Sequence, residues 1–477
     1  MQILKAAGLA LLASVPASAQ IVAQPSAGTY QRAVAAGYKA ALYCSGIFNA
    51  GRTPAQIDAD ELAGIYPDYE KIVPTLTANV DRTRQSVSVG FDPKLPPRRA
   101  EWTSGHGCVT LPIGSTAPAG GKATAAPSIR AADPRRWPQG DAGIAPRPST
   151  TLTGTVGQAF GTSYGVGTKT VGVIVVKDGE VLAEQYGQGF GPFVSNRTWS
   201  VGKSIAGTLI GLNNAGALKA SAAVPQWKAG DPRQAITLDD LLRMGSGLHS
   251  DTAGNRTDAI YFGGTTVDEQ AVSWPLEALP GTRFRYANND ILLAVYATRN
   301  AIGEARYRAL PGSLFGPLGM AHTVAETDWH GNYILSSQVW STARDLARLG
   351  LFWSQDGVWQ GKRLLPTGWM RTMTTPSGPQ PASGPGYGAT MWLFGPKQGL
   401  PEGSYAAQGN RGQYVMVIPS RQLVIVRRGE DPGAARFDIA RFAADLAAYV
   451  VVISTRQRRP RRSERCRTAR CRDPRRA

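Results

Sequence analysis

Four residues carry most of the chemistry that can be read from this chain: Ser200-Val201-Gly202-Lys203. A serine hydroxyl is a weak nucleophile at neutral pH and needs a base beside it, and residues three apart on a helix share a face. If a helix starts here, Ser200 and Lys203 touch. The helix N-terminus then offers Ser200 its positive dipole end and free backbone N–H groups, which favour a developing anion. Burial would lower the lysine pKa and let Lys203 take a proton. Read alone, the same four residues also describe an N-capping serine followed by a surface lysine.

A second segment adds to the first. Pro280-Gly281-Thr282-Arg283-Phe284-Arg285-Tyr286-Ala287-Asn288 places a turn before a tyrosine and an asparagine two residues apart, so both can point into one cleft. A tyrosine beside a cationic lysine is stabilised as phenolate, which would make Tyr286 a base for Ser200 and an acid for a leaving group, with Asn288 in support. A core tyrosine followed by a turn asparagine reads equally well from these residues alone.

The elements around these motifs must position them. Val171–Val176 and Val181–Tyr186 flank Lys177-Asp178-Gly179-Glu180 and predict an antiparallel hairpin. Ser200 to Asn214 repeats apolar residues at helical spacing, and Thr237 to Met244 and Ala343 to Trp353 predict two further helices. Tyr414–Pro419 and Gln422–Arg427 form a second predicted hairpin, followed by a last helix from Phe437 to Val452. Strands at both ends with helices between predict an α+β fold: an antiparallel sheet closed by the two ends of the domain, flanked by helices and carrying a mainly helical insert, plus an N-terminal appendage.

Taken together and in order, Ser200-x-x-Lys203 and Tyr286-x-Asn288 resemble the serine β-lactamase and penicillin-binding-protein superfamily. Ile236-Thr237-Leu238-Asp239-Asp240-Leu241-Leu242-Arg243-Met244-Gly245-Ser246-Gly247-Leu248 and Ser341-Thr342-Ala343-Arg344-Asp345-Leu346-Ala347-Arg348-Leu349-Gly350 extend the likeness, which covers about residues 165 to 450. Within the superfamily the chain is most similar to class C-like hydrolases of the 6-aminohexanoate-dimer hydrolase group, through Pro280–Asn288 and Gly409-Asn410-Arg411-Gly412-Gln413. The resemblance implies a serine hydrolase that forms an acyl-enzyme at Ser200 on a small amide or ester, without a cofactor or metal. It also implies an oxyanion hole made by the backbone N–H groups of Ser200 and Asn410. The family's Lys-Thr-Gly is replaced here by Gly409-Asn410-Arg411. That removes the lysine which usually grips a β-lactam or peptide carboxylate and leaves Arg411 and Gln413 as candidate substrate ligands; Asp328 and the pair Ser336-Ser337 are further candidates for the site. β-Lactamase or D-alanyl-D-alanine carboxypeptidase activity is the alternative reading, and a non-catalytic cell-wall binding protein is a second.

Other motifs fail on their surroundings. Gly202-Lys203-Ser204 imitates the end of a phosphate-binding loop, but Arg197 stands where its first glycine belongs. Gly161-Thr162-Ser163-Tyr164-Gly165 matches a nucleophile elbow yet is followed by Val166-Gly167-Thr168 and a strand rather than by a helix, so it is expected to be a loop. None of His106, His249, His322 and His330 has a triad motif around it; His249 is expected near the cleft in a polar structural role.

Composition frames the rest. The chain has 477 residues and a net charge of +18, half of which comes from residues 454 to 477, where eleven arginines face Glu464 and Asp473. Such a run predicts a solvated, disordered tail rather than a specific nucleic-acid site, and a tail-driven nucleic-acid binder stays as a third reading. Residues 1 to 19 read as a signal peptide, with Lys5, an apolar run from Ala6 to Val15 and Ala17-Ser18-Ala19, so a periplasmic or secreted enzyme without a membrane span is expected. In that compartment Cys44 and Cys108 are expected to pair, two separate buried thiols being the other option, whereas Cys466 and Cys471 lie in the tail. The expected organisation is a signal at 1–19, a less regular appendage and linker at 20–150 made of a lobe stapled by Cys44 and Cys108 and a loose connection wrapping the main domain, a hydrolase domain at 151–453 and the tail at 454–477.

Overall fold

A computed structural model describes residues 27–116, 132–146, 148–250 and 257–457. The expected signal, Cys466 and Cys471, and almost all of the basic tail lie outside the described residues.

The described residues open with helix α1 (Ala27–Phe48), rich in alanine and buried on nearly every side. It lies against an antiparallel meander of β1 (Ala78–Asp81), β2 (Ser86–Val89), β3 (Arg98–Thr103) and β4 (Gly107–Thr110). Within the region expected to be less regular, the N-terminal lobe consists of this helix packed on four strands. Three of its four strands have only four residues, too short for alternation to stand out from a Pro- and Arg-rich background. Cys44 of α1 and Cys108 of β4 are joined by a disulfide, as expected. The linker is pinned rather than loose where it is described. Trp137 Nε1 donates to Gly179 O at 2.8 Å, and Arg348 Nε donates to Pro138 O at 2.8 Å.

Beyond the linker come α2 (Thr150–Gln158), β5 (Thr170–Lys177), β6 (Glu180–Tyr186), α3 (Val201–Asn214), α4 (Leu238–Leu242), α5 (Asn288–Ile302) and α6 (Ala343–Ser354). They are followed by β7 (Gly386–Tyr387), β8 (Trp392–Phe394), β9 (Ser404–Gly409), β10 (Gln413–Ile418), β11 (Leu423–Gly429) and α7 (Ile439–Gln457). The strands build one antiparallel sheet in the order β7-β8-β9-β10-β11-β5-β6, so the first and last strands of the domain meet at β11 and β5. Alternation decides the layering: Ile174, Val176, Val415, Val417, Val424 and Val426 face the core that includes α3 and α6, while Val173, Val175, Met416, Ile418 and Ile425 face α2 and α7.

Both expected hairpins are present, β5–β6 turning at Asp178-Gly179 and β10–β11 joined through Pro419–Gln422. Thr237 caps α4 by accepting from Asp240 N, but the helix ends before Met244, whose φ of 61° leaves the helical region. Gly161–Gly165 lies in turns between α2 and β5 and not on a strand–helix elbow.

Candidate active site

Helix α3 runs through the core with Ser200 at its N-cap and Lys203 one turn in. Trp199, just before the nucleophile candidate, holds a left-handed φ of 51°, the kind of backbone strain that collects at functional sites. Its indole lies under the Arg197 guanidinium, 3.8 Å from the ring centroid. Gly202 explains the close fit on the other side. A Cβ there would stand 2.7 Å from Leu335 O, so only glycine lets the 335–337 segment lie against α3. That approach brings Ser336 O to the lysine.

Lys203 Nζ lies 2.9 Å from Ser200 Oγ, 2.6 Å from Asn288 Oδ1 and 3.0 Å from Ser336 O. Only 1% of the residue is exposed. Burial pulls its pKa down to about 7; the Arg197 charge pushes the same way and Asp290 opposes. A neutral amine has two N–H donors and one lone pair. With Asn288 Oδ1 and Ser336 O taking the donors, the lone pair is left for the Ser200 hydroxyl.

Tyr286 differs from the sequence expectation in its ionisation. Its ring centroid lies 4.9 Å from Lys203 Nζ and its hydroxyl shares a hydrogen bond with Ser200. Burial nevertheless pushes the phenol well above its ordinary range, and the bond with Ser200 offsets only part of this. A lysine that is itself half neutral near pH 7 is not a lasting cation and cannot hold a phenolate. The phenol therefore keeps its proton at neutral pH and is placed as a donor.

The end of β9 closes the site. A Cβ on Gly409 would stand 2.3 Å from Thr198 O and 3.0 Å from Ser200 N, so the strand reaches the nucleophile because this position is glycine. Asn410 follows it, and among the described residues the Ser200 amide makes no backbone hydrogen bond. Two amides can thus face one oxygen. Ser200, Tyr286, Asn288, Ser337, Trp392 and Asn410 line a cavity of about 420 Å³, to which Tyr66 of the N-terminal lobe also contributes.

The remaining sequence candidates are placed otherwise. Arg411 borders this cavity, but its guanidinium is committed: Nε donates to Glu430 Oε2 at 3.0 Å, Nη2 to Asp60 O at 2.6 Å, and Nη1 to Ala63 O and Gly64 O at 3.0 and 3.2 Å. With Nη2 also donating to Glu430 O at 3.4 Å, all five N–H groups are used, so it clamps the lobe to the sheet and has no hydrogen left to offer a substrate carboxylate. Gln413 is fully buried, donating to Arg411 O at 3.2 Å and accepting from Arg428 Nε at 2.7 Å. Asp328 accepts from the backbone N–H groups of Val267, His330 and Asn332 and organises a loop away from Ser200. Ser337 Oγ accepts from Arg197 Nη2 at 2.7 Å. His249 pairs with Glu277 outside the cavity, in the structural role expected.

The sequence reading did not single out Arg197, Trp199, Tyr66, Trp392 or Asp290. Asp290 accepts from Ser246 Oγ at 2.8 Å, and burial raises its carboxyl to about 7. Its place two residues after Asn288, in the first turn of α5, was the one available signal; the others carry no motif.

A family model described as Beta-lactamase matches residues 158–449. The 6-aminohexanoate-dimer hydrolase of Paenarthrobacter ureafaciens is 26% identical over 302 residues, which cover 56% of this chain and 74% of that protein. Among solved structures, one described as a 6-aminohexanoate-dimer hydrolase from Bacillus anthracis aligns with a TM-score of 0.51 at 20% identity, over 61% of this chain and 80% of its own. A penicillin-binding-protein homologue from Caulobacter crescentus aligns with a TM-score of 0.50 at 20% identity, over 65% and 98%. The two structures speak for the fold.

Proposed function

Because the chain belongs to the beta-lactamase family and is a serine hydrolase, we propose that Ser200 is its nucleophile, Lys203 the base and Tyr286 the proton donor, acting on small amides or esters. The observation that carries this reading is the buried Lys203 amine, 2.9 Å from Ser200 Oγ and with its pKa drawn down to about 7. Ser200 Oγ bonds to the substrate carbonyl carbon as its proton passes to Lys203, while the amides of Ser200 and Asn410 hold the oxyanion. The bond to the leaving group then breaks. That group takes a proton from Tyr286, which Lys203 reprotonates, and water releases the acyl group by the reverse relay.

Export is part of the proposal, supported by the residue 1–19 pattern and the Cys44–Cys108 disulfide. β-Lactamase or carboxypeptidase activity is disfavoured because the Arg411 guanidinium faces Glu430 and the lobe instead of the cavity. The test is hydrolysis of p-nitrophenyl butyrate by wild type and Ser200→Ala, both checked for folding. A loss of at least about a thousandfold is expected. In wild type, kcat/KM should rise with pH to about 7 and then level, as Lys203 loses its proton. Equal turnover in the two proteins would reject the nucleophile, and absence of turnover in folded wild type would favour a non-catalytic binding protein.

A further inference from the structure

A second cavity, of about 360 Å³, adjoins the first and shares Tyr66, Trp199, Asn410, Arg411, Asp431 and Arg436 with it. Its floor is largely apolar and comes mainly from the N-terminal lobe: Tyr38, Ile65, Tyr66 and Pro67. None of these belongs to the residues 158–449 that match the family. The wall is built rather than incidental. Arg411 Nη1 holds Ala63 O and Gly64 O from one side, Gly433 N–H donates to Gly64 O at 2.9 Å from the other, and the Tyr66 ring meets Trp199 edge-on at 6.5 Å. Of its four charged lining residues, Glu70 and Arg436 are exposed and of opposite sign, while Arg411 and Asp431 are buried and already paired with Glu430 and Arg427, so the hollow has no net preference for an ion.

The chemistry assigns the two hollows. A tetrahedral centre on Ser200 Oγ, with its oxygen on the Ser200 and Asn410 amides, has two further substituents, the acyl chain and the leaving group. The leaving group must meet the proton donor, and Tyr286 lines the first cavity and not the second. We infer that the second cavity is an acyl-chain subsite supplied by the N-terminal lobe, taking an uncharged, apolar acyl group of about four to eight carbons. This rests on the nucleophile assignment above. The bond changes are those already given: Oγ–C forms, the bond to the leaving group breaks, and water hydrolyses the ester.

The test uses the full-length, oxidised mature protein and p-nitrophenyl esters from acetate to octanoate. Burying each methylene should raise kcat/KM about fourfold, so hexanoate should exceed acetate on the order of a hundredfold. Tyr66→Ala opens the wall, and Ala434→Trp fills the hollow from an exposed position on its far side. Each should cut the hexanoate-to-acetate ratio at least about tenfold. Alkyl acetates from ethyl to hexyl, followed by acid release, should show no matching length preference. A flat acyl series in wild type, an unchanged ratio in both variants, or a length preference confined to the alcohol side would overturn the subsite. Turnover that survives Ser200→Ala would instead sink the nucleophile assignment, so the two failures are told apart.

Discussion

Replacing Lys203 by methionine should remove activity and, at low pH, relieve a standing penalty on folding. The unfolded lysine titrates near 10.5 and the folded one near 7. Below pH 7 both states hold the proton, and the folded state carries the full penalty of a buried cation. Between 7 and 10.5 the unfolded state binds the extra proton, so stability rises with pH; above 10.5 the penalty is gone. At about 1.4 kcal/mol per pH unit over most of this window, wild type should gain about 4 kcal/mol on the methionine variant between pH 6 and pH 10. Methionine also leaves Asn288 Oδ1 and Ser336 O without their donor, which costs about 1–3 kcal/mol each, but that term is the same at both pH values and cancels in the comparison. Asp290, the acid that opposes the lowering, titrates near 7 and disturbs only that neighbourhood. Urea unfolding of both proteins at pH 6, 7, 8.5 and 10, with the disulfide intact, measures the difference. A difference that stays flat within about 1 kcal/mol would mean that Lys203 titrates alike in both states, and its assignment as the base would fall with it.

Two further results are expected. Arg411→Ala should destabilise the protein by about 3–5 kcal/mol by leaving Glu430 buried without its cation, and Arg411→Lys should not restore stability because a lysine cannot reach in three directions; a raised KM at unchanged stability would instead make Arg411 a substrate ligand. The Cys44→Ser/Cys108→Ser double variant should lose about 4 kcal/mol, the chain-entropy value for a 64-residue loop, read as a shift of the urea midpoint against wild type without reductant.

The candidate site was legible because its parts are local. Ser200 and Lys203 meet through one helical turn, and Tyr286 and Asn288 through a single turn at the start of α5. Both long hairpins were readable from β-branched runs around turn residues. What escaped depends on distance along the chain. Arg411 reads as a free cation next to an oxyanion strand until its carbonyl partners at Asp60, Ala63 and Gly64 come into view, about 350 residues earlier. The lobe was expected but its elements escaped, because a helix buried all round shows no amphipathic stripe. The division of proton roles between Lys203 and Tyr286 escaped because burial, not proximity in sequence, separates their titrations.

The clamp that fixes the lobe also dictates when the protein can finish folding. Asp60 O waits for Arg411, 351 residues downstream, and Ser45 Oγ waits for Glu326, 281 residues downstream. Closing loops of that length comes late and slowly, since their entropy must be met before any contact is made. Helix α1 can seat on its own β1–β4 meander, but until Arg411 is in place beside β10 the Asp60–Gly64 segment has no clamp and the apolar wall it carries stays open to misassembly. The wall that carries Tyr66 is thus locked late, and the proposed hollow for the acyl group comes into being only once the chain is complete nearly to α7.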